Sequence, residues 1–431
     1  MTSSAVSRIG KRLSTFVGGQ STVQLLNAAT GLLLLRLMSK AEFAIYAIAL
    51  GIQGMIGILT DIGFGGAIAG LVGTRYRDRA ILGSYIRTAS HLRQVLLLVI
   101  AGAGIVLAVA FRNVEVEAHG RKEFVLLALA VLLTVQFQAW ASYYEIPLLL
   151  NNELVAYYSP QIAAAALRIV SSVVLYYMHW ISSTTVIIAN TLSIVVMGAS
   201  YRFLARPWID VPRKASKVHG REMVRYLLPL LPGTVYQALQ GQISLFLISV
   251  FGHVSQIAEV AAAGRIGQLF LLLNSSNGIL VVPFFSKTPR ALFRRRYGYA
   301  MCAVGAVALL VAASAWLCPG AYLLLLGARY SNLTPQVRLV VYASAIGYVA
   351  GAMWAVAVAR KWVFWWSGSM QMILLILIQI VCVMFLPLNT SEGVLKMNIY
   401  TVLGSLTVQV FHAIQGLSVH AKAEALGAMP S

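Results

Sequence analysis

Apolar runs long enough to cross a bilayer follow one another almost without a break from residue 16 to residue 416. A helix needs about 20 such residues to traverse the hydrocarbon core, a strand only about 10. Backbone polar groups in lipid must be satisfied internally, so runs of this length predict helices. They fall at 16–38, 43–65, 94–111, 124–148, 156–178, 182–201, 226–250, 257–284, 299–324, 338–359, 364–387 and 393–416. The expected fold is therefore an all-α polytopic membrane protein of about 12 transmembrane helices, in two six-helix lobes around a central cleft. Residues 1–205 would form the first lobe, 206–225 a basic cytoplasmic hinge, and 226–431 the second lobe. With 59% hydrophobic and 11% charged residues in a chain of 431, nothing is left over for a soluble catalytic domain.

The formal charge of +20 is a matter of topology rather than of nucleic-acid binding. With the N-terminus inside, 23 of the 33 Lys and Arg fall on cytoplasmic segments and 8 on the opposite side; Arg168 and Arg265 lie within spans. Seven basic residues crowd the stretch from Arg202 to Arg225. This skew is the positive-inside rule, and it predicts both termini in the cytoplasm. Contact with anionic lipid follows as a secondary effect. Gln20, Gln24 and Asn27 interrupt the first apolar run and no small-x-small cleavage site follows, so the run reads as a retained span. Cys302, Cys318 and Cys382 lack CxxC spacing and read as packing residues. No metal and no cofactor are expected.

Six spans per half, each half starting and ending on one side, give lobes related by an axis along the membrane normal. A shift of 213 positions sets Gln24 on Gln237, Leu26 on Leu239, Asn27 on Gln240 and Gly31 on Ser244. Gln20, Gln24, Asn27 and Gly31 share one helix face, and Gln237, Gln240 and Ser244 repeat the pattern in the seventh span. Amides facing lipid are costly, so both stripes are expected to face protein or water. They either bond between helices within a lobe or line the cleft. Pro229 and Pro232 open the seventh span, as a bending gate or as ordinary helix-start prolines.

Four ionisable residues fall well inside spans: Asp61, Glu145, Arg168 and Arg265. Each charged group at a span centre costs about 2.5–3.5 kcal/mol to insert, so each needs a partner or a watery cavity. Arg265 is followed by Gln268 and the polar cluster Asn274 to Asn277. Arg36 is nearer a span end and snorkels to the interface. Asp61 and Glu145 either pair with Arg168 or loop arginines, or form a proton or sodium site, since burial raises a carboxylate pKa. The two arginines suit a cationic lining, because the guanidinium fork matches phosphate oxygens and keeps its charge.

The run from Gly31 to Ala49, followed by Asp61-Ile62-Gly63-Phe64-Gly65, resembles the start of the polysaccharide flippases. These are the lipid-linked oligosaccharide exporters of the multidrug/oligosaccharidyl-lipid/polysaccharide exporter superfamily. Leu227 to Gly233 and Val260 to Leu269 are similar to that family's seventh and eighth spans. The chain departs from the family at Ala44, where Gly is usual, and at Ala258 and Val260, where a Gly-x-Tyr step is usual. The resemblance implies a V-shaped pair of six-helix lobes around a cationic lumen in a bacterial inner membrane. It implies that a polyprenyl-pyrophosphate-linked oligosaccharide is turned to the outer leaflet for surface polysaccharide assembly. Alternating access would come from lobes rocking about the hinge, with a polymerase and glycosyltransferases as partners. Arg265, Arg168, Gln24, Asn27, Gln237, Gln240 and Gln268 would line the cavity, with Asp61 and Glu145 as ion-coupling groups.

The rival within the superfamily is a cation-coupled multidrug antiporter, which needs an acidic cavity; here two arginines offset two acids. An enzyme is not expected. The outer loop near 112–123 is short, and the seven histidines form no catalytic pair.

Overall fold

The computed structural model describes residues 3–110, 121–151, 153–212, 214–228, 231–277, 281, 284–285, 288–360, 362 and 367–425. Among the described residues every regular element is helical. This is the outcome expected when no water is present to satisfy an open sheet edge. Close packing divides the chain into two compact units, Met1–Ile243 and Ser244–Ser431.

The first unit contains α1 (Ser3–Leu37), α2 (Lys40–Asp61), α3 (Phe64–Val72), α4 (Arg79–Ala110) and α5 (Arg121–Leu150). It continues with α6 (Leu154–Tyr177), α7 (Ser183–Ala205), α8 (Lys217–Leu227) and α9 (Leu231–Gln240). The second contains α10 (Ile243–Phe251), α11 (Val254–Leu269), α12 (Leu271–Ser276) and α13 (Arg290–Leu317). It ends with α14 (Pro319–Leu326), α15 (Thr334–Ala359), α16 (Ser367–Phe385) and α17 (Ser391–Ala425). Within the described residues, each predicted span thus falls on a helix or on consecutive helices. Among the described residues, 8 helical segments are long and apolar enough to cross a membrane, or 9 when α9 and α10 count as one. The chain is a multi-pass membrane protein.

Several breaks have local causes. α2 stops at Asp61 because Ile62 and Gly63 both take left-handed backbone angles, with φ of 43° and 86°. Gly63 adopts this freely, whereas the β-branched Ile62 is an outlier. Ser39 and Ser182 start α2 and α7 by accepting backbone N–H bonds, and Ser182 forms a capping box with Thr185. Pro232 is the second residue of α9, a place where proline's missing N–H does no harm. The helix break comes later, at Gly241–Gln242; Pro229 lies outside the described residues.

The two units pair their helices alike. In the first, α5 packs on α2, α4 and α7, while α7 also packs on α2 and α6. In the second, α15 packs on α11, α13 and α17, while α17 also packs on α11 and α16. An acid near the start of the second span meets the start of the last helix in both. Glu42 accepts from the backbone N–H of Ser183 at 2.5 Å, and Ser391 Oγ donates to Glu259 at 2.8 Å. A duplicated bundle explains both coincidences. An acid at a helix N-terminus also complements the dipole there.

The basic segment after α7 is not a free strand of linker. Met223 and Leu227 of α8 are buried against Leu82, Tyr85 and Ile86 of α4 and Phe64, Ala67 and Ile68 of α3. Tyr85 donates to Glu222 at 2.6 Å and stacks on His219 at 4.1 Å, and Ser84 meets His219 Nδ1 at 2.9 Å. The Ser216 N–H donates to Thr88 at 3.0 Å, and Arg79 pairs with Asp210 at 3.1 Å. Gly83 lies directly under the Asp210 carbonyl, where no side chain fits.

Small residues let helices approach in lipid, where hydrophobic driving force between them is absent. Gly198 of α7 is such a position: a Cβ there would run into the Trp140 indole of α5. Gly198→Ala is expected to overpack this contact and lower stability by about 1–3 kcal/mol. Thermal unfolding of the purified protein in detergent checks this; an unchanged midpoint would show that α5 and α7 tolerate separation.

Candidate functional site

The first unit carries a polar seam where α2, α4 and α5 meet. Gln53 of α2 donates to Gln138 of α5 at 3.4 Å. Further along, Arg93 Nη1 of α4 donates to Ser142 Oγ of α5 at 2.9 Å and to Asp61 Oδ1 at 3.3 Å. The guanidinium also lies over the Tyr143 ring, 5.7 Å from its centroid, and Tyr143 donates to the Ala89 carbonyl at 3.3 Å. The Arg93 side chain is 6% exposed and that of Asp61 46%, so the pair runs from the packed interior to an open edge.

The helix break explains why Asp61 needs this partner. It is the last residue of α2, at the negative end of the helix dipole, where a carboxylate is disfavoured. Glu145 lies within electrostatic reach of both Asp61 and Arg93. Asp61 bonds the guanidinium directly, and Glu145 acts on it only through space. Glu145 stands two residues before Pro147, an interior proline that removes one backbone bond from α5. Tyr157 and Tyr201 also feel the Glu145 charge, and Tyr201 donates to the Tyr157 carbonyl at 2.8 Å.

Arg93 lies just before the predicted span at 94–111, on the cytoplasmic side. In the structure α4 begins at Arg79, and Arg93 is buried nearly two turns after the exposed Arg87. The available signal was the apolar partner face Leu82, Ile86, Ala89, whose helical spacing continues to Arg93. Of the two sources of pairing considered for the acids, a loop-side arginine supplies it for Asp61.

The remaining candidates are distributed as follows. Arg168 of α6 is half-buried; its Nε donates to the Ala164 carbonyl of the same helix at 3.4 Å. No ion pair reaches it among the described residues. Gln24 and Asn27 of α1 are half-buried, and the Asn27 carbonyl oxygen is buried without a hydrogen bond. Gln20, on the same face, accepts from Tyr158 of α6 at 3.4 Å, so this end of the stripe bonds between helices of its own unit. Gln240, half-buried, ends α9. Gln237 belongs to the same helix, but its side chain lies outside the described residues.

In the second unit Arg265 Nη1 donates to Gln268 Oε1 at 3.2 Å along α11. The polar run continues on α12. Asn277 Nδ2 donates to the Tyr348 carbonyl of α15 at 3.3 Å, and its Oδ1 is buried without a partner. Gly351 of α15 leaves the space that Asn274 and Asn277 occupy. Glu259 carries no sequence signal of its own; Ser391 Oγ donates to it at 2.8 Å and itself accepts from Gln336 Nε2 at 3.1 Å.

Chemically, both units present fixed cations and amides inside membrane helices, and the first adds Glu145, a carboxylate that no ion pair reaches among the described residues. Among the described residues no group of His, Cys, Asp and Glu is arranged to hold a metal. Cys382 is buried, while Cys302 and Cys318 are exposed.

No family model and no curated protein matches the chain in sequence. Solved structures do match in shape. An inward-facing multidrug resistance MATE family transporter of the MOP superfamily superposes with a TM-score of 0.61 at 15% identity, covering 94% of this chain and 96% of that one. The chain has the fold of MATE transporters. A Vibrio cholerae MATE transporter gives 0.60 at 13% identity, over 97% of this chain and 98% of that one. A Pyrococcus furiosus MOP superfamily transporter, described as having a binding pocket of reverse polarity that suggests a different function, gives 0.60 at 17% identity. It covers 96% of this chain and 95% of that one. The MATE fold therefore spans nearly the whole chain.

Removing Arg93 from this MATE-like bundle leaves Asp61 and Glu145, which repel through space, without the cation that offsets them. Arg93→Met is expected to cost about 2–3 kcal/mol, less than for a fully buried pair because Asp61 is half-exposed. Adding Glu145→Gln should restore part of the loss. Thermal midpoints of the single and double variants measure both effects, and equal midpoints for wild type and Arg93→Met would dismiss the pairing as a determinant.

Proposed function

We propose that this protein is a membrane flippase that turns a polyprenyl-pyrophosphate-linked oligosaccharide from the cytoplasmic to the outer leaflet of a bacterial inner membrane. It would serve surface polysaccharide assembly, moving its cargo without chemical conversion. The observation that carries this reading is Arg168: a half-buried guanidinium in a membrane helix with no ion-pair partner among the described residues. A permanent positive charge held there calls for a mobile anion. Arg265, bonded to Gln268, is a second guanidinium within a membrane helix, and the Gln268 amide suits a sugar hydroxyl or a phosphate oxygen.

The fold supports transport by alternating access, and the resemblance of the Gly31–Ala49, Asp61–Gly65 and Val260–Leu269 runs supports the lipid-linked glycan as cargo. The lipid tail would stay in the bilayer while the charged head passes along the polar helices. With Asp61 paired to Arg93, Glu145 is the carboxylate left over for a coupling proton or sodium ion.

A multidrug antiporter has equal standing on fold, because the matched structures include multidrug resistance transporters. The Asp61–Glu145 excess favours it for the first unit alone, since an acidic site attracts an organic cation. The test separates the two. In cells lacking the native copy, Arg168→Ala and Arg265→Ala are each expected to reduce polymer export at least tenfold while leaving membrane insertion and thermal stability intact. Undiminished export by both variants would remove the cationic path, and proton-coupled efflux of an organic cation from liposomes would establish the antiporter instead.

A further inference from the structure

Helix α8 has two faces that differ in kind. Met223 and Leu227 point into the first unit's core, and Glu222 and His219 tie the flank to Tyr85 and Ser84. On the other side Lys217, Arg221 and Arg225 stand at i, i+4 and i+8, a single exposed line along the helix. No ion pair engages them among the described residues. Apolar side chains flank this line: Val218 is 67% exposed, Val224 47% and Leu228 63%. At the end of α7, Phe203 is 68% exposed, with the Arg206 guanidinium over its ring, 5.8 Å from the centroid.

A solvated charged face has no use for exposed valine, leucine and phenylalanine among its cations. The headgroup layer of a bilayer accommodates both, because apolar side chains reach the acyl boundary while lysine and arginine meet phosphate. We propose that the outer face of α8 binds anionic phospholipid headgroups at the membrane surface. Charge complementarity selects the occupant: three aligned cations, on the side that the basic-residue skew assigns to the cytoplasm, against a negatively charged leaflet. The buried face fixes α8 on α3 and α4, so the cations are presented in a set geometry rather than on a loose tether. The inference rests on the membrane fold and does not depend on which cargo is carried.

The test is hydrogen–deuterium exchange of the full-length protein in vesicles of phosphatidylcholine alone or with about one-third phosphatidylglycerol. Each basic side chain at an anionic surface adds roughly fivefold to association. Phosphatidylglycerol is expected to slow exchange over residues 214–228 at least tenfold. The triple variant Lys217→Gln, Arg221→Gln, Arg225→Gln should lose that protection, while a charge-matched variant at Arg77, Arg294 and Arg295 keeps it. High salt should weaken the effect, since screening shortens to about 3 Å at 1 M. Three results would each overturn the proposal: no lipid-dependent protection in the wild type, equal protection in the triple variant, or the same protection from soluble glycerophosphate with neutral vesicles. Retention of the wild-type thermal midpoint by the triple variant confirms that the clamp on α4 survives the substitutions.

Discussion

A guanidinium inside a bilayer cannot discard its charge, so the surrounding helices must answer it. Arg93 shows the answer at its Nη1 end, though its Nε stays buried without a hydrogen bond: a carboxylate, a serine hydroxyl and an aromatic face, each from a different position on α2 or α5. Three helices are thereby held at one depth and one rotation. Breaking such a contact costs more than making it gains, because the orphaned charge remains buried. The seam of Gln53–Gln138 and Asp61–Arg93–Ser142 therefore sets register where apolar packing alone would permit sliding.

The second unit solves a similar problem with neutral groups. Asn277 bonds a backbone carbonyl of α15, and Gly351 gives up its side chain so that two asparagines can approach. The repeated helix pairing, and the acids Glu42 and Glu259 at matching helix starts, point to one ancestral bundle whose interior polarity has since diverged. Capping groups persist in such a history because an unsatisfied helix end in lipid is expensive wherever it occurs.

The helices were legible in the sequence because insertion into hydrocarbon demands long apolar runs, and little else produces them. The division of Asp61 from Phe64 was only half legible. Gly63 signals a turn, but nothing in the residue type of Ile62 announces a left-handed backbone. Arg93 falls outside the predicted span at 94–111 for a physical reason: counting lysine and arginine by loop treats charge as a marker of the aqueous side. A helix that extends about four turns beyond its apolar stretch carries its cations inward. Gln20 shows the converse limit, since an amide facing protein looks the same in sequence whether its neighbour is a tyrosine hydroxyl or water. The pairing of Glu259 with Ser391 spans 132 residues, a separation that no local pattern encodes.

The left-handed pair Ile62–Gly63 divides the second span into two rods with different company. The longer rod, α2, leans on α5, α7 and α9; the shorter, α3, travels with α4 and α8. Asp61 stands at the joint between them, bonded to an arginine on the short rod's side. Any swing of one rod against the other must stretch or release that single bond, so the elbow has a latch made of one carboxylate, and its grip depends on the charge that carboxylate carries.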